Sequence, residues 1–300
     1  MTTASSELST QEVGQENQWT ETTIVKHYLD HNLPQQISSV IESVLDFGNE
    51  PELRNELARL VVQETRKYIT DTKLSEEVKH IAHEFLDYGI ETSPEILLHC
   101  LSVAFTARDF CMQVSQGLDF SPNQAFFACL VHDYGRFEKK VIELTTEGNS
   151  IWNGTLKKPR LKLSDPEWAM VTTHPQRGYE IIKTKAQQLG IEDDPTIQLA
   201  LHSTLLHQRW FNPPEEIVEK NRSYPNNEIL ADLGFNPKEI PPIVLLSTLA
   251  DVYCARLDPF RHFYQKPQSP EEAIAAMTDD LGTHFDPELG KAFLDWRSSF

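Results

Sequence analysis

One stretch of this chain indicates its fold most clearly, namely Phe126-Phe127-Ala128-Cys129-Leu130-Val131-His132-Asp133-Tyr134-Gly135-Arg136. Its apolar run leads directly into a histidine and an aspartate, which are both common metal ligands. Ser121-Pro122 stands before the run; serine is a preferred N-cap, and proline suits the first turn of a helix. The sequence therefore predicts a buried helix over 122–131 whose end directs His132 and Asp133 into one cavity.

The rest of the chain is also predicted to be helical. Ser93-Pro94 repeats the start signal and predicts a helix as far as about Gln116. Between Leu33 and Tyr88, apolar residues recur at spacings of three and four, which is typical of amphipathic helices. Further helices are predicted over 175–189, 196–207, 242–255, 270–281 and 287–296, with a long loop over 138–166. Strand patterns are scarce, so the sequence predicts an all-α fold.

The composition changes along the chain and predicts three segments. Residues 1–20 are rich in Ser, Thr, Gln and Glu with few apolar residues, which predicts a disordered tail. Residues 21–90 are predicted to form an N-terminal helical region, and residues 91–300 are predicted to form the main domain.

The charge of the chain bears on its partners. The 300 residues carry a formal net charge of −18, which argues against binding to a nucleic-acid polymer. An anionic small substrate stays compatible with this charge, because a bound divalent metal can reverse the local field. The four cysteines show no CxxC spacing and are expected to be buried reduced thiols. No apolar run reaches the length of a membrane span, so a cytoplasmic location is expected.

Other histidines and carboxylates fall where they could join the His132-Asp133 pair. They are Glu95, His99, His174, His207 and Asp251. Glu95 and His99 are four residues apart, so they share one face of a helix. Asp251 lies within the apolar segment 244–252, where a carboxylate is costly unless it is paired or bound to a metal. The alternative is that each is an ordinary polar residue, and for His99 taken alone this interpretation is preferred.

Taken in order, these residues resemble the metal-site pattern of the HD-GYP branch of the HD-domain phosphohydrolases. Residues 130–136 are similar to the apolar-HD-x-G-K segment of that family, residues 174–178 to its HP-x-x-G segment, and residues 249–253 to its ADVYDA segment. Residues 269–273 and 282–289 resemble its C-terminal pattern. The resemblance covers Pro94 to Leu294.

The resemblance implies an all-α HD-domain helical bundle with an N-terminal helical extension, in which residues 91–300 are an HD-GYP-like phosphohydrolase domain. It also implies two or three divalent metal ions, Fe, Mn or Zn, and hydrolysis of cyclic di-GMP by metal-activated water. Asp133 would bridge the metals. The complete implied ligand set is Glu95, His99, His132, Asp133, His174, His207 and Asp251.

The resemblance further implies residues that contact the substrate. Arg136 stands where the family carries a phosphate-binding lysine, so a catalytic and substrate-binding role is implied for it. Arg261 and Tyr224 are the other implied substrate-binding residues. The expected partner is a cyclic dinucleotide or another phosphorylated small molecule, and the question of a homodimer stays open.

The chain departs from the family pattern at three positions. Leu206 replaces one histidine, Gln208 replaces a glutamate, and Asp258 replaces a phosphate-binding arginine. Losing an imidazole predicts weaker binding of one metal, and an aspartate beside a phosphate is expected to repel it. His202 is five residues from His207, roughly 140° around an ideal helix, so it is not expected to supply the missing ligand.

Three functional hypotheses follow from these residues. The first is a metal-dependent phosphodiesterase that acts on cyclic di-GMP. The second keeps the metals but changes the substrate to another nucleotide or phosphate ester. The third is a catalytically impaired signalling module that binds a nucleotide or a protein. The retained ligands favour the two enzymes, whereas the replacements at Leu206, Gln208 and Asp258 favour the module.

Overall fold

The computed structural model describes residues 21–43, 45, 53–114, 118–139, 141–142, 164, 166, 171–213, 239–260 and 267–299. These residues form α-helices, one short 3₁₀ helix and connecting turns. Within the described ranges there is no strand, and one isolated β-bridge joins Leu281 and Phe285. The prediction of an all-α fold is confirmed. Among the same residues, no helix combines the length and the apolar character needed to cross a membrane.

Among the described residues, four helices precede the Ser93-Pro94 pair. They are α1 (Glu21–Asn32), α2 (Gln35–Glu42), α3 (Leu53–Asp71) and α4 (Glu76–Thr92). The helices that follow are α5 (Pro94–Gln113), α6 (Pro122–Leu130), α7 (His174–Leu189), α8 (Pro195–Leu206), α9 (Pro242–Leu257), α10 (Pro270–Thr278) and α11 (Pro287–Arg297). The 3₁₀ helix Tyr134–Phe137 follows α6.

A serine or aspartate cap followed by proline begins five of these helices. The caps are Ser93, Ser121, Asp194, Ser269 and Asp286, and each side chain accepts a hydrogen bond from a backbone N–H of the first turn. The cap satisfies a donor that the helix cannot, and proline has no N–H that needs satisfying. The starts predicted at Pro94, Pro122, Pro270 and Pro287 are confirmed, and α8 begins at Pro195, one residue before the predicted start. The predicted ends of α5 and α10 lie three residues too far along the chain, at Gln116 and Leu281.

The core is built around α5, which packs against α6 and α9, while α8 packs against α6, α7 and α9. Phe105 of α5 and Phe126 of α6 are almost completely buried, and their ring centroids lie 5.1 Å apart. Burying each such side chain stabilises the fold by roughly 1.5–3 kcal/mol. This packing brings the end of α6, the end of α8, the second turn of α5 and the middle of α9 together, and a predicted metal ligand lies at each of these places.

The N-terminal helices share buried contacts with the helices that follow. Tyr28 of α1 is completely buried; its hydroxyl donates a hydrogen bond to the Leu98 carbonyl at 2.6 Å and accepts one from Ser102 at 2.9 Å. The division at residues 90 and 91 stays a prediction. The predicted tail 1–20, and most of the predicted loop 138–166, lie outside the described residues.

Candidate metal centre

The carboxylate of Asp133 is the centre of a buried cluster of imidazoles. Its Oδ1 lies 2.9 Å from Nε2 of His174 and 3.4 Å from Nε2 of His207. Its Oδ2 lies 3.6 Å from Nε2 of His132 and accepts a hydrogen bond from Nη1 of Arg136 at 2.9 Å. All of these side chains are buried. One carboxylate therefore faces three imidazole nitrogens and one guanidinium.

A second carboxylate approaches the same cluster from α9. Oδ1 of Asp251 lies 2.9 Å from Nε2 of His99 and 3.8 Å from Nε2 of His132. His132 thus lies between two carboxylates. Two groups of potential ligands share it, namely His99, His132 and Asp251, and His132, Asp133 and His207, and the ligand atoms within each group lie within 4.8 Å of one another.

Backbone carbonyls orient three of the histidines. The Nδ1–H groups of His132, His174 and His207 donate to the carbonyls of Cys129, Val171 and Thr204 at 2.7, 2.7 and 3.0 Å. A carbonyl can only accept, so Nδ1 carries a proton, and in the neutral imidazole Nε2 then keeps a lone pair that points inward. Nε2 of His132 is buried and has no hydrogen-bond partner among the described residues. Inward lone pairs beside two carboxylates fit a divalent cation.

The charges of the cluster keep Asp133 ionised. Burial opposes its negative charge, but Arg136, His132 and His174 outweigh this effect, so the pKa of Asp133 lies well below its usual range. Burial also opposes the positive charge of His132, but Asp133 and Asp251 outweigh it and raise the pKa of His132. Burial dominates at His174 and lowers its pKa. The site therefore presents an anionic ligand in a buried place.

Two glycines allow the close approach that puts His174 beside Asp133. A Cβ atom on Gly135 would lie 2.0 Å from the His174 carbonyl oxygen, and one on Gly178 would lie 2.7 Å from a methyl group of Thr204. The 3₁₀ helix after Asp133 can therefore pack directly on the first turn of α7. This contact explains why glycine stands three residues after His132 and four residues after His174.

A ligand role for Glu95 stays a prediction, and a cation from another helix contacts this residue. Its carboxylate is ion-paired with Arg54 of α3, and it belongs to neither of the two ligand groups. Arg54 also lies over the ring of Phe260, with 5.1 Å to the ring centroid. No motif in the sequence points to Arg54.

The structure also locates residues that depart from the family pattern, next to histidines of the cluster. Leu206 is buried beside His207, and the side-chain nitrogen of Gln208 lies 3.3 Å from Nε2 of His174. His202 belongs to neither ligand group. Asp258 was expected to repel a phosphate. Its carboxylate is instead buried against His99 and does not face solvent. The implied substrate residues Arg261 and Tyr224 lie outside the described residues.

His284 is a further residue near the cluster that sequence reasoning did not single out, although it lies within the C-terminal pattern. Its ring stacks on Trp210, with centroids 4.4 Å apart and planes inclined by 18°. The Phe211 N–H donates to the His284 carbonyl at 3.0 Å, which joins the segment after His207 to the C-terminal turn. Burial lowers the pKa of His284 to about 4, and Asp251 opposes this effect.

The lowered pKa of His284 predicts a loss of stability in mild acid. The unfolded chain binds a proton at this residue below pH 6.5, whereas the folded chain resists protonation until about pH 4, so the free energy of unfolding falls as the pH falls between these values. Between pH 7 and pH 5 we expect His284 to account for about 2 kcal/mol of this loss. Urea unfolding of the wild-type and H284Q proteins at both pH values, with chelator present, measures it. An equal loss of stability in H284Q and the wild type would contradict the prediction.

Comparisons with known proteins identify the family of this chain and one similar protein. The HD domain family model matches residues 96–282, which include every histidine and aspartate of the two ligand groups. A protein of Vibrio cholerae serotype O1, described as a probable cyclic di-GMP phosphodiesterase, is 29% identical over 176 residues, which make up 58% of this chain and 33% of the relative. The chain thus spans about a third of the length of that relative. With its family match and its buried His-Asp cluster, the chain belongs to the HD domain family, a family of metal-dependent phosphohydrolases.

Proposed function

We propose that this protein is a metal-dependent phosphodiesterase of the HD-GYP branch that hydrolyses cyclic di-GMP. The observation that carries the proposal is the buried Asp133 carboxylate, which faces the Nε2 atoms of three histidines at 2.9–3.6 Å. The similarity to a probable cyclic di-GMP phosphodiesterase supports the choice of substrate.

The described residues can hold two ions. Asp133, His174 and His207 form one half of the cluster, His99 and Asp251 form the other, and His132 lies between them. Imidazole and carboxylate ligands suit Fe, Mn and Zn, and bound divalent ions supply a nucleophile from water at neutral pH and neutralise charge on the phosphate. Because Arg54 holds Glu95, we propose two ions and not three.

Arg136 is the residue that we propose for phosphate binding. Its guanidinium is buried, and its Nη1 is anchored on Asp133 at 2.9 Å, so the side chain is held in a fixed orientation next to the cluster. A guanidinium offers five donors in a planar fork, and the anchor uses one nitrogen. We propose that the rest of the fork binds a non-bridging phosphate oxygen. Arg261 and Tyr224 are proposed as further substrate contacts.

A second candidate function is hydrolysis of another nucleotide or phosphate ester. Leu206 is buried and supplies no ligand where the family carries a histidine, and Gln208 supplies an amide where the family carries a glutamate. We propose that these two replacements, on either side of His207, change the side chains that contact the substrate. This candidate keeps the metals and the role of Arg136.

The experiment that tests the proposal is hydrolysis of cyclic di-GMP by anaerobically purified protein supplied with Mn²⁺ or Fe²⁺, with the products separated by chromatography. We expect linear pGpG or GMP, and no product after the metal has been removed with a chelator. D71N, which changes an exposed residue at the end of α3, is the matched control and should keep full activity.

Two other outcomes separate the remaining hypotheses. Protein that retains metal but leaves cyclic di-GMP intact would reject this substrate, and a panel of nucleotides and phosphate esters would then test the second candidate. Protein that binds no metal and hydrolyses none of these compounds would support a signalling module instead.

A further inference from the structure

His99 differs from the other histidines of the cluster in what its Nδ1 atom meets. His132 and His207 follow the last turns of α6 and α8, where carbonyls have no helical partner, and their Nδ1–H groups bind such carbonyls. His99 lies inside α5, whose carbonyls at this point are engaged in the helix. Its Nδ1 is buried and has no hydrogen-bond partner within the part of the chain that is described.

Asp258 faces this nitrogen. It caps the C-terminal end of α9, and it is as completely buried as His99. Its Oδ1 accepts a hydrogen bond from the Phe260 N–H at 2.8 Å. Its Oδ2 lies 3.6 Å from Nδ1 of His99 and has no hydrogen-bond partner among the described residues. Two buried polar atoms that lack partners therefore point at each other, on the side of His99 opposite to Asp251.

The geometry points to a positioning role for Asp258. We propose that Asp258 accepts the Nδ1–H of His99 and so fixes Nε2 of His99 as a ligand atom for a divalent cation held with Asp251. The proposal rests on the metal site of the proposed function. It also gives a role to a residue that replaces a phosphate-binding arginine in the family pattern. Carboxylates behind metal-bound histidines fix the tautomer and the ring orientation and make the imidazole a stronger ligand.

The Phe260 contact makes the isosteric variant informative. In D258N, the amide oxygen must stay on the Phe260 N–H, because the amide NH₂ cannot accept this hydrogen bond. The NH₂ group is then directed at Nδ1 of His99. Facing a donor, Nδ1 must act as the acceptor, so the ring proton moves to Nε2. The lone pair that binds the cation is thereby removed without a change in side-chain volume.

The alanine variant D258A behaves differently. It removes the carboxylate but places no donor in front of His99, so the imidazole can still carry its proton on Nδ1. We therefore expect the affinity for a divalent cation to fall in the order wild type, D258A, D258N. A role in packing alone predicts the opposite order for the two variants, because alanine leaves a cavity and asparagine does not.

The experiment is a titration of metal-free protein comprising residues 1–300 with Zn²⁺ in competition with a chromogenic chelator. The wild type, D258A, D258N and the surface control D71N are compared, and circular dichroism reports their helical content. We expect a loss of about 10–100-fold in the affinity of one ion in D258N, a smaller loss in D258A and no loss in D71N. Equal affinity in D258N and the wild type, or a greater loss in D258A than in D258N, would overturn the inference.

Hydrolysis of cyclic di-GMP, measured on the same proteins, separates this inference from the proposed function. The expected order of Zn²⁺ affinities in a protein that does not hydrolyse the dinucleotide would reject the substrate and uphold the role of Asp258. Hydrolysis by the wild type together with unchanged Zn²⁺ affinity in D258N would uphold the substrate and reject the role of Asp258.

Discussion

Replacing Asp133 by asparagine should abolish hydrolysis and strip the protein of metal. The carboxylate faces three imidazole nitrogens within 3.6 Å and is the negative charge that they share. An amide is a poor metal ligand, and its NH₂ group would point a donor either at His174 or at Arg136. Bound metal supplies several kcal/mol of charge stabilisation in such reactions, so we expect a loss of activity on the order of 10³-fold or more. Elemental analysis of dialysed protein and chromatography of the products measure the two effects.

The control for D133N is D71N, which makes the same chemical change at an exposed position and should retain metal and activity. A D133N protein that keeps its metal content and hydrolyses cyclic di-GMP at the wild-type rate would remove Asp133 from the centre of the site. Asparagine has the shape of aspartate, but it leaves the buried Arg136 facing a neutral group, so circular dichroism must first show that D133N is folded.

Replacing Gly135 by alanine should disrupt both the fold and the cluster. The added Cβ would lie 2.0 Å from the His174 carbonyl oxygen and 2.7 Å from the Gly178 nitrogen. Both are backbone atoms, which cannot rotate away as a flexible side chain can. The 3₁₀ helix must then move off α7, and the 2.9 Å contact between Asp133 and His174 must open. We expect the free energy of unfolding to fall by about 3 kcal/mol, with a large loss of metal affinity. Urea unfolding of metal-free protein and Zn²⁺ titration measure these changes.

Gly190 provides the comparison for this substitution. It ends α7 with φ of 68°, and a Cβ atom there would meet nothing within 4 Å. G190A should therefore lower stability only through backbone strain, by about 1 kcal/mol, and should leave metal affinity unchanged. If G135A and G190A lost equal stability and bound metal equally, the close packing at Gly135 would not be what positions His174.

Local signals in the sequence were sufficient for the all-α fold and for the starts of several helices. A capping serine and a following proline act within one turn, so they predicted where α5 and α6 begin. The apolar run before His132 predicted a buried helix end, and the resemblance to the HD-GYP branch identified the residues that now face Asp133. The division into domains and the roles of the individual ligands stay predictions.

Only the tertiary structure revealed which side chains meet across the chain. Arg54 and Glu95 are 41 residues apart, and no spacing rule connects them. His99 and Asp251 are separated by 152 residues and meet because α5 packs on α9. Asp258 was expected to face a phosphate, but the end of α9 turns it towards His99. The sequence by itself determined the helices and the kinds of ligand available, because capping and amphipathic spacing act over a few neighbouring residues. Helix packing decided which of these side chains lie close together and which residue contacts each of them on its other side. Packing depends on the shape and volume of side chains across the whole core, which no short stretch of sequence contains.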